Sequence, residues 1–313
     1  MKNRFLQHII DKLRGKPIAL EKSHYGYKHI YKGYDAQDLI FNELTEDKPT
    51  MICRFGGTEL SIVNYYLRHK KDNFIKYTQR LKNKIEFLSG FFPATDYNLS
   101  RFSYEFLELV KNIDIIGVWF NSGEEKILEE YGKNAKLVHL VDISPVENGC
   151  SFDIKAKPYT KALEGKKVLV IHPFSETIKN QYQKREFLFN NSDTLPKFEL
   201  ITIKAVQSLH DNVEGLSYKS WFEALDYMKH QISQIDFDIA IIGCGAYGIF
   251  LADYIKSIGK KAIHMGGATQ LLFGIIGQRW EEALKSKINE YWVRPSKADK
   301  PKGAEKVEGG CYW

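Results

Sequence analysis

Short apolar segments rich in β-branched residues alternate with helical segments along most of the chain, and this alternation constrains the fold more than any other feature. The clearest strands are KKVLVI at 166–171, DIAIIG at 238–243 and KAIHM at 261–265. Continuous apolar runs of this kind are typical of strands buried on both faces of a parallel sheet. Strand–helix alternation places the connecting helices over that sheet. The sequence therefore predicts an α/β, Rossmann-like fold, a mostly parallel sheet with helices on both faces.

The chain is long enough, at 313 residues, to bury a full core without cross-links. We expect three parts: an N-terminal helical segment at 1–45, an α/β core at 46–276, and a C-terminal extension at 277–313. Disordered termini usually end in polar residues, whereas this chain ends in Tyr312 and Trp313. The extension is therefore expected to pack back on the core.

Cysteine usage and hydropathy favour a protein that is neither secreted nor integral to a membrane. The four cysteines are scattered and form no CxxC pair, so we expect reduced thiols in the cytoplasm. No apolar run is long enough to cross a bilayer, and the N-terminus lacks the apolar core of a signal peptide. The first twenty residues predict a basic amphipathic helix, which docks on its own core or makes a peripheral contact at the inner membrane face.

The net charge of +6 is modest, and its densest stretches include residues 68–84. No motif of a nucleic-acid-binding protein accompanies it. We therefore predict no nucleic-acid partner. A positive balance suits a diphosphate ligand equally well.

The strand TMICRF leads through Gly56 and Gly57 directly into a helix near Thr58. Such a corner exposes backbone N–H groups at a helix N-terminus, where phosphate groups bind. Arg54 can bind phosphate as a bidentate donor, and Glu59 can ligate a cation that bridges two phosphates. In the alternative, purely structural interpretation, Thr58 caps the helix and Glu59 complements its dipole.

The segment GCGAYG, which contains Gly243 and Gly245, matches GxGxxG between a strand and a helix. Its glycines either expose a helix N-terminus to a diphosphate or only allow close packing. The next strand ends in His264, not in the acidic residue that a dinucleotide-binding fold places there. A Rossmann-type NAD(P)-binding oxidoreductase is therefore the alternative prediction.

Other strand ends supply the remaining candidates, because ligands of open parallel sheets bind beyond the carboxyl ends of the strands. Besides Glu59, the acid–base candidates are Asp142, His172 and Glu176. The additional donor-binding candidates are Ser175, Thr177, Gly266, Gly267 and Gln270. Each also has a structural interpretation, as a turn residue, a first-turn charge or an interior packing group.

The combination of RFGGTEL, HPFSETI, GCGAYG and HMGGATQLLFGIIGQRW resembles bacterial glycosyltransferases of the GT-D structural type and their relatives in capsule and O-antigen gene clusters. The resemblance covers roughly residues 45–313. It implies transfer of a sugar from a nucleotide sugar, a UDP-sugar first of all, to a lipid-linked or protein-linked glycan acceptor. The implied setting is bacterial surface polysaccharide or glycoprotein biosynthesis. A catalytically silent partner of such enzymes is a further alternative.

The best-known branch of that fold carries an Asp-x-Glu motif after Arg-Phe-Gly, which is implicated in holding a metal and the nucleotide diphosphate. Glu59 matches the Glu and is the one metal ligand predicted, for manganese or magnesium. Gly57 stands where the Asp would be, which weakens the case for a metal. Arg54, glycine N–H groups or a lysine can stabilise the charge instead.

Overall fold

The structure is a computed structural model that describes residues 24–26, 28–208, 216–300 and 309–313. The strands within these ranges are β1 (His24–Tyr25), β2 (Lys28–Tyr31), β3 (Thr50–Arg54), β4 (Ile115–Val118), β5 (Lys136–His139), β6 (Lys167–His172), β7 (Glu199–Lys204), β8 (Ile239–Ile242) and β9 (Lys261–His264). They form one sheet in the order β1-β2-β5-β4-β3-β9-β8-β6-β7. Only β1 pairs antiparallel, and β2 to β9 are all parallel. The predicted mostly parallel α/β sheet is confirmed.

Helices connect the strands in the way that a parallel sheet requires. Those in the described ranges are α1 (Gly33–Thr45), α2 (Gly57–His69), α3 (Gln79–Ser89), α4 (Asp96–Val110), α5 (Glu124–Glu130), α6 (Ser175–Tyr182), α7 (Arg185–Leu188), α8 (Trp221–Ser233), α9 (Tyr247–Ser257), α10 (Thr269–Leu272) and α11 (Glu281–Leu284). None of them is both long and apolar enough to cross a bilayer.

Both faces of the sheet are buried. In β3, Met51 and Cys53 join one apolar cluster, while Ile52 between them joins the other. Helices α2, α4, α8 and α9 supply the first cluster, and α1 and α6 contribute to the second. This alternation explains why the strands read as continuous apolar runs, since every position of a two-sided strand faces a core.

The strand order indicates where a ligand site should lie. From β3 the chain builds one half of the sheet through β4 and β5, and β6 to β9 build the other half. The two halves meet where β3 pairs with β9. Open α/β sheets bind ligands outside the carboxyl ends of the strands near such a switch in strand order.

The N-terminal part is not purely helical. His24–Tyr25 form β1 and Lys28–Tyr31 form β2, and β2 extends the sheet by pairing with β5. Within β2 only Ile30 is fully buried, so the segment lacks the apolar run that marks the central strands. The basic helix predicted in the first twenty residues lies outside the described residues.

Residues 309–313 lie against the loop that precedes α11. The backbone N–H of Arg279 donates to the carbonyl of Cys311 at 2.9 Å, and that of Gln278 donates to the carbonyl of Trp313 at 3.4 Å. A Cβ at Gly277 would lie 2.7 Å from the Tyr312 carbonyl oxygen. This close backbone approach explains the glycine at position 277.

Candidate functional site

A cleft of about 1630 Å³ opens at the carboxyl edge of the sheet. Its lining comes from the segments that follow each of β3 to β9, together with parts of α2, α3 and residues 309–313. Eleven of the predicted site residues line it: Arg54, Gly56, Gly57, Thr58, Glu59, His172, Gly243, Gly245, Gly266, Gly267 and Gln270. The structure therefore brings together most of the strand-end groups in one place.

Arg54 is the last residue of β3, and its guanidinium is held inside the cleft. Its Nη1 donates to the carbonyl of Phe55 at 3.0 Å, and its Cζ lies 5.3 Å from the centre of the Trp119 ring. A Cβ at Gly266 would lie 3.2 Å from Arg54 Nε, so this glycine leaves room for the guanidinium. The fixed, planar donor set suits bidentate binding of a phosphate.

Helix α2 begins at Gly57 with Gly56 as its N-cap, so Thr58 does not cap it. The Glu59 side chain is buried and folds back against Gly56, where a Cβ would overlap its carboxylate. Position 57 is open by contrast, since the nearest atoms to a Cβ there are in Trp119, at 3.6 Å. The first turn of α2 therefore lines the cleft at a position with room for an added group, and a helix N-terminus of this kind favours an anion.

The charges around the cleft are unequal. The described residues that line the cleft include five Arg or Lys side chains but only two carboxylates. The cations are Arg54, Arg68, Arg80, Lys84 and Arg279, and the carboxylates are Glu59 and Glu147. A concave surface with this excess of positive charge attracts an anionic ligand.

The residues present do not fit the metal site that an Asp-x-Glu motif would make. Gly57 offers no carboxylate, and within the described ranges no group of three or more His, Cys, Asp or Glu is placed to hold a metal ion. Glu59 alone leaves most of the oxygen ligands of a hard cation to be supplied from elsewhere.

The GCGAYG corner after β8 is filled by the protein itself. A Cβ at Gly243 would lie 2.6 Å from His172 Cδ2 and 2.7 Å from the Gly266 carbonyl oxygen. A Cβ at Gly248 would overlap the ring of His264. Gly245 has φ +59° and lines the cleft, where its nearest neighbour is 3.6 Å away. Two of the three glycines are therefore explained by packing and one by a left-handed turn.

His172 and His264 are buried and neutral. Burial lowers the pKa of His172 to about 3, and burial together with the positive charge of Arg54 lowers the pKa of His264 to about 3. The Phe174 N–H donates to His172 Nδ1 at 3.0 Å, so the basic nitrogen of this ring is already occupied. These contacts favour the structural interpretation of His172, as an interior packing group, over the acid–base one.

Four predicted residues do not line the cleft. Asp142 is buried and accepts hydrogen bonds from Gly33 N–H at 3.2 Å and Asn148 Nδ2 at 3.4 Å, and burial raises its pKa to about 6. Its carboxylate thus anchors the start of α1, not a substrate.

The other three belong to α6. Ser175 is buried away from the cleft, and Glu176 is exposed and paired with Lys179 at 2.8 Å. The hydroxyl of Thr177 donates to Asp299 Oδ2 at 2.5 Å. Thr177 therefore fastens the 297–299 turn to α6 and does not contact the cleft.

A family model of the GT-D fold-like domain matches residues 35–272. The chain belongs to the GT-D-like family. The match extends from α1 to the end of α10 and so includes every strand end that lines the cleft. The family resemblance expected from the motifs is confirmed. Membership of this family supports glycosyltransferase activity.

Two solved structures of domain of unknown function 1792 are similar to this GT-D-like chain. One is described as a selenomethionine-substituted structure, is 9% identical, and aligns with a TM-score of 0.43. The other, described as having a distinct glycosyltransferase fold, is 10% identical with the same TM-score. Each comparison covers 95% of this chain and 93% of the other. None of the curated proteins compared with the chain matches it in sequence.

Sequence reasoning missed several residues of the GT-D-like cleft. Glu147 lies in the loop after β5 and accepts a hydrogen bond from Trp280 Nε1 at 2.9 Å. Burial raises its pKa, and the charges of Arg279 and Arg54 oppose that rise. No sequence motif surrounds Glu147. The basic cleft residues of α2 and α3 belong to the densely charged stretch at 68–84, which the sequence does show.

The last residues of the chain form one wall of the cleft. The Tyr312 ring occupies the space that a Cβ at Gly267 would take. Gln270 Nε2 donates to the Tyr312 carbonyl at 3.2 Å, and Arg279 Nη1 donates to the Tyr312 hydroxyl at 2.9 Å. Gly267 and Gln270, predicted as donor-binding residues, thus contact this wall directly.

Proposed function

We propose that this GT-D-like protein is a glycosyltransferase that uses a nucleotide sugar, a UDP-sugar first of all, as its donor. The observation that carries the proposal is the meeting of Arg54, the open amino end of α2 at Gly57 and an excess of positive charge in one cleft. The proposed acceptor is a hydroxyl group of a lipid-linked or protein-linked glycan. The proposed setting is surface polysaccharide or glycoprotein biosynthesis.

Sugar transfer breaks the bond between the anomeric carbon and a diphosphate oxygen, and the electron pair stays on that oxygen. The protein must therefore stabilise the charge that develops on the leaving diphosphate. The Arg54 guanidinium and the N–H groups of the first turn of α2 lie beside the same space. Both are fixed before the substrate arrives, so little reorganisation is needed during the reaction.

In an inverting reaction the acceptor hydroxyl loses its proton to a base. Glu147 is the better placed of the two cleft carboxylates, because Glu59 folds back onto the start of α2. Burial raises the pKa of Glu147 above that of an ordinary carboxyl group, which makes it a stronger base. Trp280 Nε1 holds one carboxylate oxygen and so fixes the direction of the other.

The C-terminal wall offers a surface for sugar rings. Tyr312 and Trp313 lie with ring centres 6.1 Å apart, and Trp280 lies 6.0 Å from Tyr312. Aromatic rings with polar tips combine an apolar face with hydrogen-bonding groups, as a sugar requires. We place the acceptor glycan on this side of the cleft.

A thermal-shift screen with UDP, GDP, CMP, NAD and NADP tests the proposal, because a ligand stabilises the folded state by RT ln(1 + [L]/Kd). At a concentration of 100 Kd the gain is about 2.7 kcal/mol. We expect UDP to raise the Tm, and Arg54→Ala to remove that shift without lowering the Tm of the free protein. Arg101→Ala is the matched control, since Arg101 pairs with Glu105 outside the cleft.

Two results would contradict the proposal. A rise in Tm with NAD or NADP, and none with UDP, GDP or CMP, would favour the oxidoreductase. No shift with any of the five would favour a catalytically silent partner.

A further inference from the structure

Lys84 extends from α3 to Ser61 in the second turn of α2. Its Nζ donates to Ser61 Oγ at 3.0 Å, and Ser61 Oγ donates to the carbonyl of Gly57 at 2.7 Å. Lys84, Gly57 and Glu59 all line the cleft. The Lys84 ammonium group is therefore held one helical turn from the open position at Gly57.

The surroundings of Lys84 differ from those of its neighbour on the same helix. Lys82 pairs with Asp96 at 2.8 Å, whereas no ion pair within 4 Å involves Lys84 among the described residues. Lys84 is half-buried, and burial lowers its pKa, opposed in part by the negative charge of Glu59. A partly desolvated cation without an ion pair is costly for the folded state. Its place in a cleft is consistent with a ligand that supplies the missing negative charge.

Lack of room does not explain why position 57 carries no carboxylate. A Cβ there would meet Trp119 only at 3.6 Å and Asn121 Oδ1 at 3.8 Å, which are ordinary contact distances. A side chain could be accommodated, yet the chain carries glycine and places an ammonium group nearby. Beside this position the site therefore offers an ammonium group and no added carboxylate.

We propose that Lys84, with Arg54 and the amino end of α2, binds the donor diphosphate directly, in the place that a divalent cation would take beside an Asp-x-Glu motif. Two side-chain charges then balance the two negative charges of a nucleotide-sugar diphosphate. The further charge that develops as the glycosidic bond breaks falls beside the same cations and the positive end of α2. The identity of the ligand as a sugar-nucleotide diphosphate rests on the proposed function.

Isothermal titration of the full chain with UDP, inorganic pyrophosphate and uridine, each in EDTA and in manganese, tests this proposal. We expect the wild-type protein to bind UDP and pyrophosphate in EDTA within about twofold of their affinity in manganese. Lys84→Met should weaken both at least about tenfold, a change of about 1.4 kcal/mol. Any affinity for uridine should not change.

Lys82→Met is the matched control, because it removes the same charge from the same helix outside the cleft. The Tm separates a ligand-binding role from a structural one. Replacing a half-buried ammonium group by an apolar side chain should leave the Tm unchanged or raise it while affinity falls. If Lys84→Met does not fold, Lys84→Gln provides the same charge comparison and keeps a donor for Ser61.

The outcomes are distinct. Loss of UDP binding in EDTA with recovery in manganese would overturn the role of Lys84 and leave the proposed function standing. Equal affinities in the Lys84 and Lys82 variants would overturn it as well. Lys84-dependent binding of pyrophosphate without binding of UDP would support the anion site and contradict the proposed function. If neither pyrophosphate nor UDP bound, both proposals would fail.

Discussion

Two glycine corners open toward the same cleft, one after β3 and one after β8, and they differ in what fills the space beside the glycine. After β8, the ring of His172 and the backbone at Gly266 occupy that space at Gly243, and the ring of His264 occupies it at Gly248, whereas Gly245 keeps its nearest neighbour at 3.6 Å. After β3, the Glu59 carboxylate occupies that space at Gly56, but nothing lies closer than 3.6 Å to the position of a Cβ at Gly57.

The difference shows that a glycine-rich turn between a strand and a helix has two separate physical causes. At the β8 corner, which we call closed, Gly243 and Gly248 allow buried side chains to pack against the backbone. At the open corner, the space remains available to a ligand at a helix N-terminus. The Gly56-Gly57 corner is therefore the better candidate for the diphosphate site, although GCGAYG has the more familiar pattern.

The largest effect is expected at the open corner. Arg54→Ala should lower kcat for sugar transfer roughly 100- to 1000-fold, because it removes a fixed donor from the developing charge. Steady-state assays with the donor found in the nucleotide screen measure this. Partial recovery in Arg54→Lys would identify charge as the cause, and wild-type turnover in Arg54→Ala would contradict the account.

The next effect concerns the stability of the closed corner. Gly243→Ala should reduce the free energy of unfolding by about 3 kcal/mol, because the new methyl group must displace His172 and the Gly266 carbonyl. Urea denaturation measures it. A stability equal to that of the wild type would show that this corner is not filled as described.

Acid should affect the closed corner through its two histidines. The unfolded chain binds their protons near pH 6.5, whereas the folded protein binds them only near pH 3, so this contribution to stability is lost as the pH falls through that range. The expected loss is about 2 kcal/mol per histidine by pH 5.

Total stability is a poor readout of that loss, because Glu124 and Asp142 act in the opposite direction. Burial raises their pKa values to about 7 and about 6. Imidazole ¹⁵N NMR is the direct measurement. We expect neutral rings at pH 5, protonated on Nε2 in His172 and on Nδ1 in His264, where Nδ1 lies 3.2 Å from the Ile242 carbonyl oxygen. Imidazolium signals from both rings at pH 6 would contradict the prediction.

The smallest effect on stability is expected for Gly57→Ala. The methyl group meets only ordinary contacts, and alanine is a better helix residue than glycine, so the free energy of unfolding should change by less than about 0.5 kcal/mol. UDP affinity should fall, because the methyl group enters the space assigned to the diphosphate. Urea denaturation of Gly57→Ala and Gly243→Ala compares their free energies of unfolding. Equal destabilisation of the two variants would remove the distinction between the corners.

The fold could be predicted because the central strands contain continuous apolar runs and alternate with helices. Strand β2 was missed, because it lies toward the edge of the sheet and buries only Ile30 completely. Local pattern is informative where both faces of a strand are buried and less so near the sheet edge.

The site could be predicted only in part. Strand-end position placed Arg54 and Gly57 correctly at the cleft, because the carboxyl ends of parallel strands meet there. It could not show which way a side chain points: Thr177 binds Asp299, which is 122 residues away in the sequence. Glu147 reaches the cleft through tertiary packing, which no local pattern reveals, whereas Lys84 belongs to the charged stretch at 68–84, whose position at the cleft depends on packing.

A crystal structure with UDP is the most direct test of the central claim, that the open corner after β3 binds the diphosphate. We expect phosphate oxygens about 3 Å from the Arg54 guanidinium and from the N–H groups at the start of α2. A diphosphate bound instead at the start of α9, against the GCGAYG turn, would contradict it.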